Sequence, residues 1–330
     1  MQRSAFRLAR RTLLAACAAA CLPFAAHAQA PYPSRPVRII VGFPAGTGPD
    51  IVARLLAQKL SETWGNQGVI VDNKPGAGGL IAASEAARAA PDGYTLMLGE
   101  TGQLSIAPSS YNKLPYDPAK DFVPVSHVVG ADFALLVNPQ KVPARTLPEF
   151  VTWAKAQKQL FIATFGAGTP GHFGAYMFGD AVKIKPEPVH YKSTGDALGG
   201  MFSGDVHAVF ASMGLSAPNV KAGKLAALAS TGPERAGSLP DVPTMKELGY
   251  PTLEFSSWFG IVAPAGTPPD ILAKLSADVQ KAVKSPDGRR RMEEAGFRVT
   301  GTTREEFARI IAADTVTWGK AVAASGFKAD

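Results

Sequence analysis

The sequence predicts an α/β protein of two lobes, each a mainly parallel sheet flanked by helices, joined by two crossing segments. Three observations carry that expectation. A strand–glycine loop–helix rhythm begins at Val37. The same rhythm restarts as a second block near Phe133. A late strand near Ser256 is then followed only by helical patterns, which must return to the first block.

Residues 1–28 stand apart from that fold. Arg3, Arg7, Arg10 and Arg11 precede the short apolar run "TLLAACAAACLPFAA", and "AHA" ends at Ala28 as a small-x-small cleavage site, the pattern of a secretory signal peptide. The run is too short to span a bilayer, and no later stretch looks like a transmembrane helix. "LAAC" ending at Cys17 resembles a lipoprotein box with almost no apolar core before it, and Arg10–Arg11 is a weak twin-arginine signal. Cleavage near Ala28 would remove both cysteines, Cys17 and Cys21, leaving no disulfide. It would also lower the formal charge from +7 to +3, too mild a balance to argue for nucleic acid.

Each element follows from local pattern. Val37–Val41 is an apolar run broken only by Arg38. Asp50 is the expected cap of a helix whose apolar positions are Ile51, Val52, Leu55, Leu56, Leu60 and Trp64, and Gly65 is its expected stop. "GVIV" enters "DNKPGAGG" and a helix to about Arg88, and "PDG" turns into the strand "YTLML". In the second block "FALLV" (Phe133–Val137) precedes a helix opened by a Thr146–Glu149 capping box. "LFIATF", "PVHY", "VHAVF" and "LAALA" read as its further strands, and Gly232–Pro251 as a long surface connection. The last strand lies in "SSWFGIVAP"; Thr267 is the expected cap of the next helix, with Pro268 at its first position. A final helix opens with Thr303 and Glu306 and carries Phe307, Ile310, Ile311 and Trp318. The expected division is lobe 1 at 29–129 and 254–330 and lobe 2 at 130–253, with crossings near 127–132 and 252–258. Two crossings are what a hinge requires.

Four loops, "GFPAGTGPD", "NKPGAGG", "GAGTPGH" and "YKSTGDA", share one design, each lying between a strand and a helix at the carboxyl edge of its sheet. Glycine lets backbone approach a ligand, and free N–H groups at a helix start receive anionic oxygen. One such loop is only a tight turn; four, two from each lobe, favour a binding cleft. Enzyme readings are weaker. There is no G-x-S-x-G elbow, no G-x-x-x-x-G-K-[ST] loop, and the G-x-G at Gly46 and Gly48 lacks the third glycine of a dinucleotide fingerprint. His127, His172, His190 and His207 are scattered without metal-ligand spacing. His172, at a helix start, either donates to a bound carboxylate or braces its loop; His190 and His207, in expected strands, read as satisfied core groups.

The pieces "YPSRPVRIIVGFPAG", "DIVARLLAQKL", "VDNKPGAGG", "APDGYTLMLG", "GAGTPGH", "HYKSTGDAL" and "APAGTPPDIL", in that order, resemble the tripartite tricarboxylate transporter substrate-binding proteins, the Bug or TctC-like family, over essentially the full mature chain. The resemblance implies a two-lobed periplasmic binding protein of the type II class that closes on an organic acid. It also implies a carboxylate held, partly through ordered water, between the first-lobe elbow and the "GAGTPGH" loop. Carried over by position, the ligand-binding candidates are Phe43, Ala45, Gly46, Thr47 and Gly48 at the elbow. Gly78 and Thr101 are added from the other first-lobe loops. Gly166, Gly168, Thr169, His172, Lys192 and Thr194 come from the second lobe, and Asp50 orders the elbow. Lys192 is either a charge partner or a solvated loop lysine. Where the family elbow usually reads Gly-Gly-Ser/Thr-x-Asp, this chain has Thr47-Gly48-Pro49; Ser193, His207 and Ala211 also depart from the family's common residues.

The expected function is therefore capture of a small carboxylate, a di-acid or another, by a periplasmic monomer serving a tripartite tricarboxylate-type transporter or a sensor. No cofactor, metal or nucleic acid is expected. The alternative is a secreted α/β hydrolase or transferase using the same cleft, for which the sequence offers no recognisable base and nucleophile.

Overall fold

The computed structural model describes residues 32–191 and 194–329. The signal segment, both cysteines, Lys192, Ser193 and the side chain of Thr194 lie outside what it describes.

β1 (Val37–Val41) pairs in parallel with β2 (Val69–Asn73) on one side and β3 (Thr95–Glu100) on the other. α1 (Gly48–Thr63) joins β1 to β2 and buries Val52, Leu56 and Leu60 completely. It ends at Trp64, and Gly65 follows in the left-handed region (φ 64°). α1 starts earlier than the sequence predicts: Thr47 is the N-cap and Asp50 sits inside the first turn. α2 (Leu80–Ala87) leads to β3, after which a π-type turn at Gly102–Ile106 runs into Ala107–Ser110.

The strand expected at Phe133–Val137 is the end of a much longer one. β4 runs unbroken from Phe122 to Val137, through the segment expected to be a crossing linker. Phe122–Asp132 pairs antiparallel with β9 (Ser256–Pro264), and Phe133–Val137 pairs antiparallel with β7 (Ala208–Ser212) and β8 (Ala226–Ser230). Two register slips, at Pro124/Ser126 and His127/Val129, bend it. Nearly every position from Val125 onward is buried, so no alternation marks the strand in the sequence. β5 (Leu160–Thr164) pairs in parallel with β6 (Pro186–His190) and β7.

Among the described residues the strands make one sheet in the order β2-β1-β3-β9-β4-β7-β5-β6. Each lobe is parallel at its outer strands, as expected, but β9 and β4 run antiparallel to their neighbours. The terminal helices also enclose a strand the sequence did not reveal, β10 (Arg298–Val299), paired with β4.

The second block carries α3 (Leu147–Lys155, opened by the Thr146–Glu149 box), α4 (Pro170–Val182), α5 (Thr194–Ser203) and α6 (Met213–Lys221). The 232–251 connection is irregular but not wholly superficial, since Leu239, Val242 and Met245 are buried and Thr244 bridges Ser230. α7 (Pro269–Lys284) has Pro268, not Thr267, at its N-cap; the Thr267 hydroxyl instead donates to the Pro264 carbonyl.

α7 and α8 (Pro286–Glu294) pack on α1, as expected of the returning helices. α9 (Arg304–Ser325) does more. Its Phe307 sits in the first-lobe core with Trp258, whereas Trp318 and Val322 join the second-lobe core with Phe150, Phe210 and Phe255. Gly260 on β9 gives Phe307 its place, because a Cβ there would lie 2.3 Å from the ring.

His127 on β4 is buried against Trp258 and Phe307, and among the described residues neither ring nitrogen finds a well-formed hydrogen bond. Burial, with the Arg298 charge adding, pushes its pKa down to about 4. The folded value lies below the ordinary ~6.5, so the neutral ring favours the fold above that pH and the contribution drains as pH falls toward 4. Replacing His127 by Phe should flatten this acid-side loss in melts between pH 6.5 and 4; an unchanged profile would contradict it. Trp318→Ala should cost about 3–5 kcal/mol by chemical denaturation, and a cost below about 1 kcal/mol would mean that α9 does not anchor the second lobe.

Candidate functional site

The first-lobe elbow is built around Asp50, which is 2 % exposed. Its carboxylate accepts from the Gly46 amide (2.9 Å), Asn73 Nδ2 (3.0 Å) and Arg54 Nε (3.0 Å). Asn73 Nδ2 also donates to the Phe43 carbonyl at 2.9 Å. Burial works to raise the Asp50 pKa, but the bonds from Arg54, Gly46 and Asn73 together hold it below the usual carboxylate range. Gly46 itself has φ 81°, a conformation that favours glycine. Its N–H, a predicted ligand donor, is thus engaged inside the protein, and the Thr47 hydroxyl donates to the Pro44 carbonyl at 2.6 Å. The first intrahelical bond runs from the Ile51 amide to the Thr47 carbonyl. That leaves the amides of Gly48 and Asp50 without intrahelical partners, while Pro49 has none to offer.

The second-lobe loop repeats the device. Thr169 caps α4, its hydroxyl donating to the Gly166 carbonyl (2.8 Å) and accepting from the His172 amide (3.4 Å). His172 Nδ1 accepts from the Gly168 amide at 3.1 Å, so this buried ring braces the loop from behind. Burial and the neighbouring His190, its ring centroid 4.6 Å away, push the His172 pKa down to about 4. Neither His190 nor His207 is the core group expected: His190 is exposed at the end of β6, with Nδ1 2.6 Å from the Thr164 hydroxyl, and the half-buried His207 precedes β7 and accepts from the Phe161 amide.

The two helix starts meet at one cavity of about 320 Å³. Thr47, Gly48 and Pro49 of α1 line one side, and Thr169, Pro170 and Gly171 of α4 the other. Such a volume suits a small ligand, and partial positive charge from two helix N-termini suits an anion. Phe43, Phe133, Phe165, Tyr191, Phe259 and Phe297 are the cavity's aromatic lining residues. Gly48 is packed against that wall, since a Cβ there would lie 3.3 Å from Phe297. Glu100, Ser212 and Ser257 are its other polar side chains.

Of the sequence candidates, Phe43, Thr47, Gly48 and Thr169 line this cavity. Gly78, Gly168 and Thr169 line a space of about 10 Å³ beside it, the scale of a single water. Ala45, Gly46, Gly166 and His172 shape the loops without lining either space. Thr101 is fully buried, its Oγ1 accepting from the Trp258 amide (3.0 Å) and lying 3.3 Å from the Ser257 hydroxyl, so it ties β3 to β9. Trp258 likewise lies in the core, bonded to Asp314. Sequence reasoning missed Phe259, Phe297 and Glu100. Phe259 and Glu100 sit in strands that read as buried, and Phe297 stands beside a two-residue strand with no pattern of its own.

Residues 52–327 match the family described as tripartite tricarboxylate transporter family receptor. The protein BugT of Bordetella pertussis is 33 % identical over 303 residues, covering 90 % of this chain and 91 % of its own. Among solved structures, a protein of R. palustris with adipate superposes with a TM-score of 0.84 at 31 % identity, over 90 % of this chain and 99 % of that one. MatC from Rhodopseudomonas palustris with bound malate gives 0.79 at 33 % identity, over 88 % and 100 %. With its two-lobed fold and these matches over most of its length, the chain belongs to the tripartite tricarboxylate transporter family of receptors.

Proposed function

We propose that this protein is an exported periplasmic receptor that captures a small organic acid between its lobes and delivers it to a tripartite tricarboxylate-type transporter or a sensor. The observation that carries the reading is the convergence of two helix N-termini, Thr47–Pro49 and Thr169–Gly171, on one aromatic-lined cavity. The similar R. palustris proteins with adipate and malate support an acid as ligand.

In this reading the segment 1–28 is removed on export. Lobe 1 is 29–129 with 254–330, lobe 2 is 130–253, and β4 and β9 are the hinge between them. The proposed carboxylate donors are the unpaired amides of Gly48, Asp50 and Gly171, set in place by Phe43, Ala45, Gly46, Gly166, Gly168 and His172. An open form admits the acid, and contacts from the second lobe favour the closed form. Shared backbone donors also suit release: they part when the lobes part, whereas a desolvated pair of fixed charges holds on.

A thermal-shift panel of mono-, di- and tricarboxylates, aromatic acids and amino acids tests the reading. A ligand at 100 times its Kd should add about 2.7 kcal/mol; a panel in which no acid raises the melting temperature would overturn it. Asp50→Ala releases the Gly46 and Asn73 anchors, and the loosened elbow should weaken acid binding about tenfold, the equivalent of one or two hydrogen bonds. Unchanged affinity in the folded variant would remove the elbow from the site.

A further inference from the structure

Glu100 is the one Asp, Glu, Lys, Arg or His among the described residues that line the 320 Å³ cavity, and it lines the small adjoining space as well. It ends β3, its backbone opposite Phe259 of β9 and its amide held by Gln103 Oε1 at 3.1 Å. Glu100 as a residue is 8 % exposed, and no hydrogen bond or ion pair to its carboxyl occurs among the described residues. Gly102 leaves it room, because a Cβ there would sit 2.7 Å from Oε1. Once ionised, a partnerless carboxyl at the wall of an anion site opposes the ligand charge that the helix starts attract. The conflict disappears when the ligand carries a positive nitrogen. The aromatic rings around the cavity favour the same group, since ring faces attract cations.

We propose, building on the receptor reading above, that the cavity is made for a zwitterionic acid, its carboxylate at the helix starts of α1 and α4 and its cationic nitrogen against Glu100. Burial pushes the Glu100 pKa up to about 8, so at pH 7 the empty site holds this carboxyl mainly protonated. The titratable groups around it are Tyr111, Tyr116 and Tyr191, each pushed upward, foremost by burial, and each neutral at pH 7. A cationic ligand group stabilises the ionised form, so Glu100 gives up its proton on binding. A plain acid gives no reason for that release.

The test is calorimetric titration at pH 7, in two buffers of different ionisation enthalpy, of the protein and its Glu100→Gln variant. The probes are amino acids and trimethylglycine, each beside the acid of the same skeleton without nitrogen. The expected result is at least tenfold tighter binding of a zwitterion than of its nitrogen-free counterpart, with close to one proton released. In Glu100→Gln the preference and the proton release should both be lost while the plain acid still binds. Tighter binding of plain mono- or dicarboxylates by the native protein, or a zwitterion preference unchanged in the variant, overturns this inference and leaves the receptor reading standing. Failure of every probe and of every acid in the panel overturns both. Folding of the variant is read independently from its melts. Relative to Glu100→Gln, the native protein should lose stability as pH rises from about 4.5 through 8, because the folded carboxyl holds its proton longer than the unfolded one.

Discussion

The antiparallel pairing of β4 with β9 is the constraint on which the rest of the molecule depends. It runs from Phe122–Pro264 to Asp132–Ser256, and at its end β4 passes without a break into the second half of the sheet. Backbone hydrogen bonds that continue from one lobe into the next fix where the two sets of carboxyl-edge loops stand. The register slips at Pro124 and His127 give this ribbon its bend. Everything packed on it is matched to its shape: Gly260 yields to Phe307, His127 fills the space between Phe307 and Trp258, and β10 adds to its flank. α9 then spans both cores, so relative motion of the lobes in this fold has to bend or slide against that helix.

The cavity rests on a second principle, the assignment of each backbone donor to one task. Asp50 takes the Gly46 amide and His172 takes the Gly168 amide, which makes both loops rigid. Thr47, Gly48 and Pro49 at one helix start and Thr169, Pro170 and Gly171 at the other then line the cavity. Thr47-Gly48-Pro49 and Thr169-Pro170-Gly171 are near mirror solutions of one problem: a threonine cap, a proline that needs no hydrogen bond, and a glycine that admits close approach. Against this positive lining stands one buried carboxyl, Glu100. A charge at a wall of lower dielectric than water acts more strongly than one in solvent.

The parts of the fold legible in the sequence were those with local causes. β1, β2 and β3 ended within a residue or two of expectation, and the Thr146–Glu149 and Thr303–Glu306 boxes opened α3 and α9 as their spacing requires. The errors have equally physical causes. Asp50 has the chemistry of a cap, but Pro49 fits the first turn, so the helix begins before it. β4 could not be read because burial on both faces erases alternation, and β10 because two residues carry no pattern.

The sequence by itself determined the alternation of strands and helices, the family motifs, and the glycine loops that put helix starts at the sheet edges, since all of these depend on neighbours along the chain. Only the tertiary structure decided that α1 and α4 share one cavity, that Thr101 and Trp258 turn into the core, and that Glu100, at the end of an apolar strand, lines that cavity. Those are contacts between residues far apart in sequence. They are set by how β9 and β4 bring the lobes together, and no local propensity encodes that.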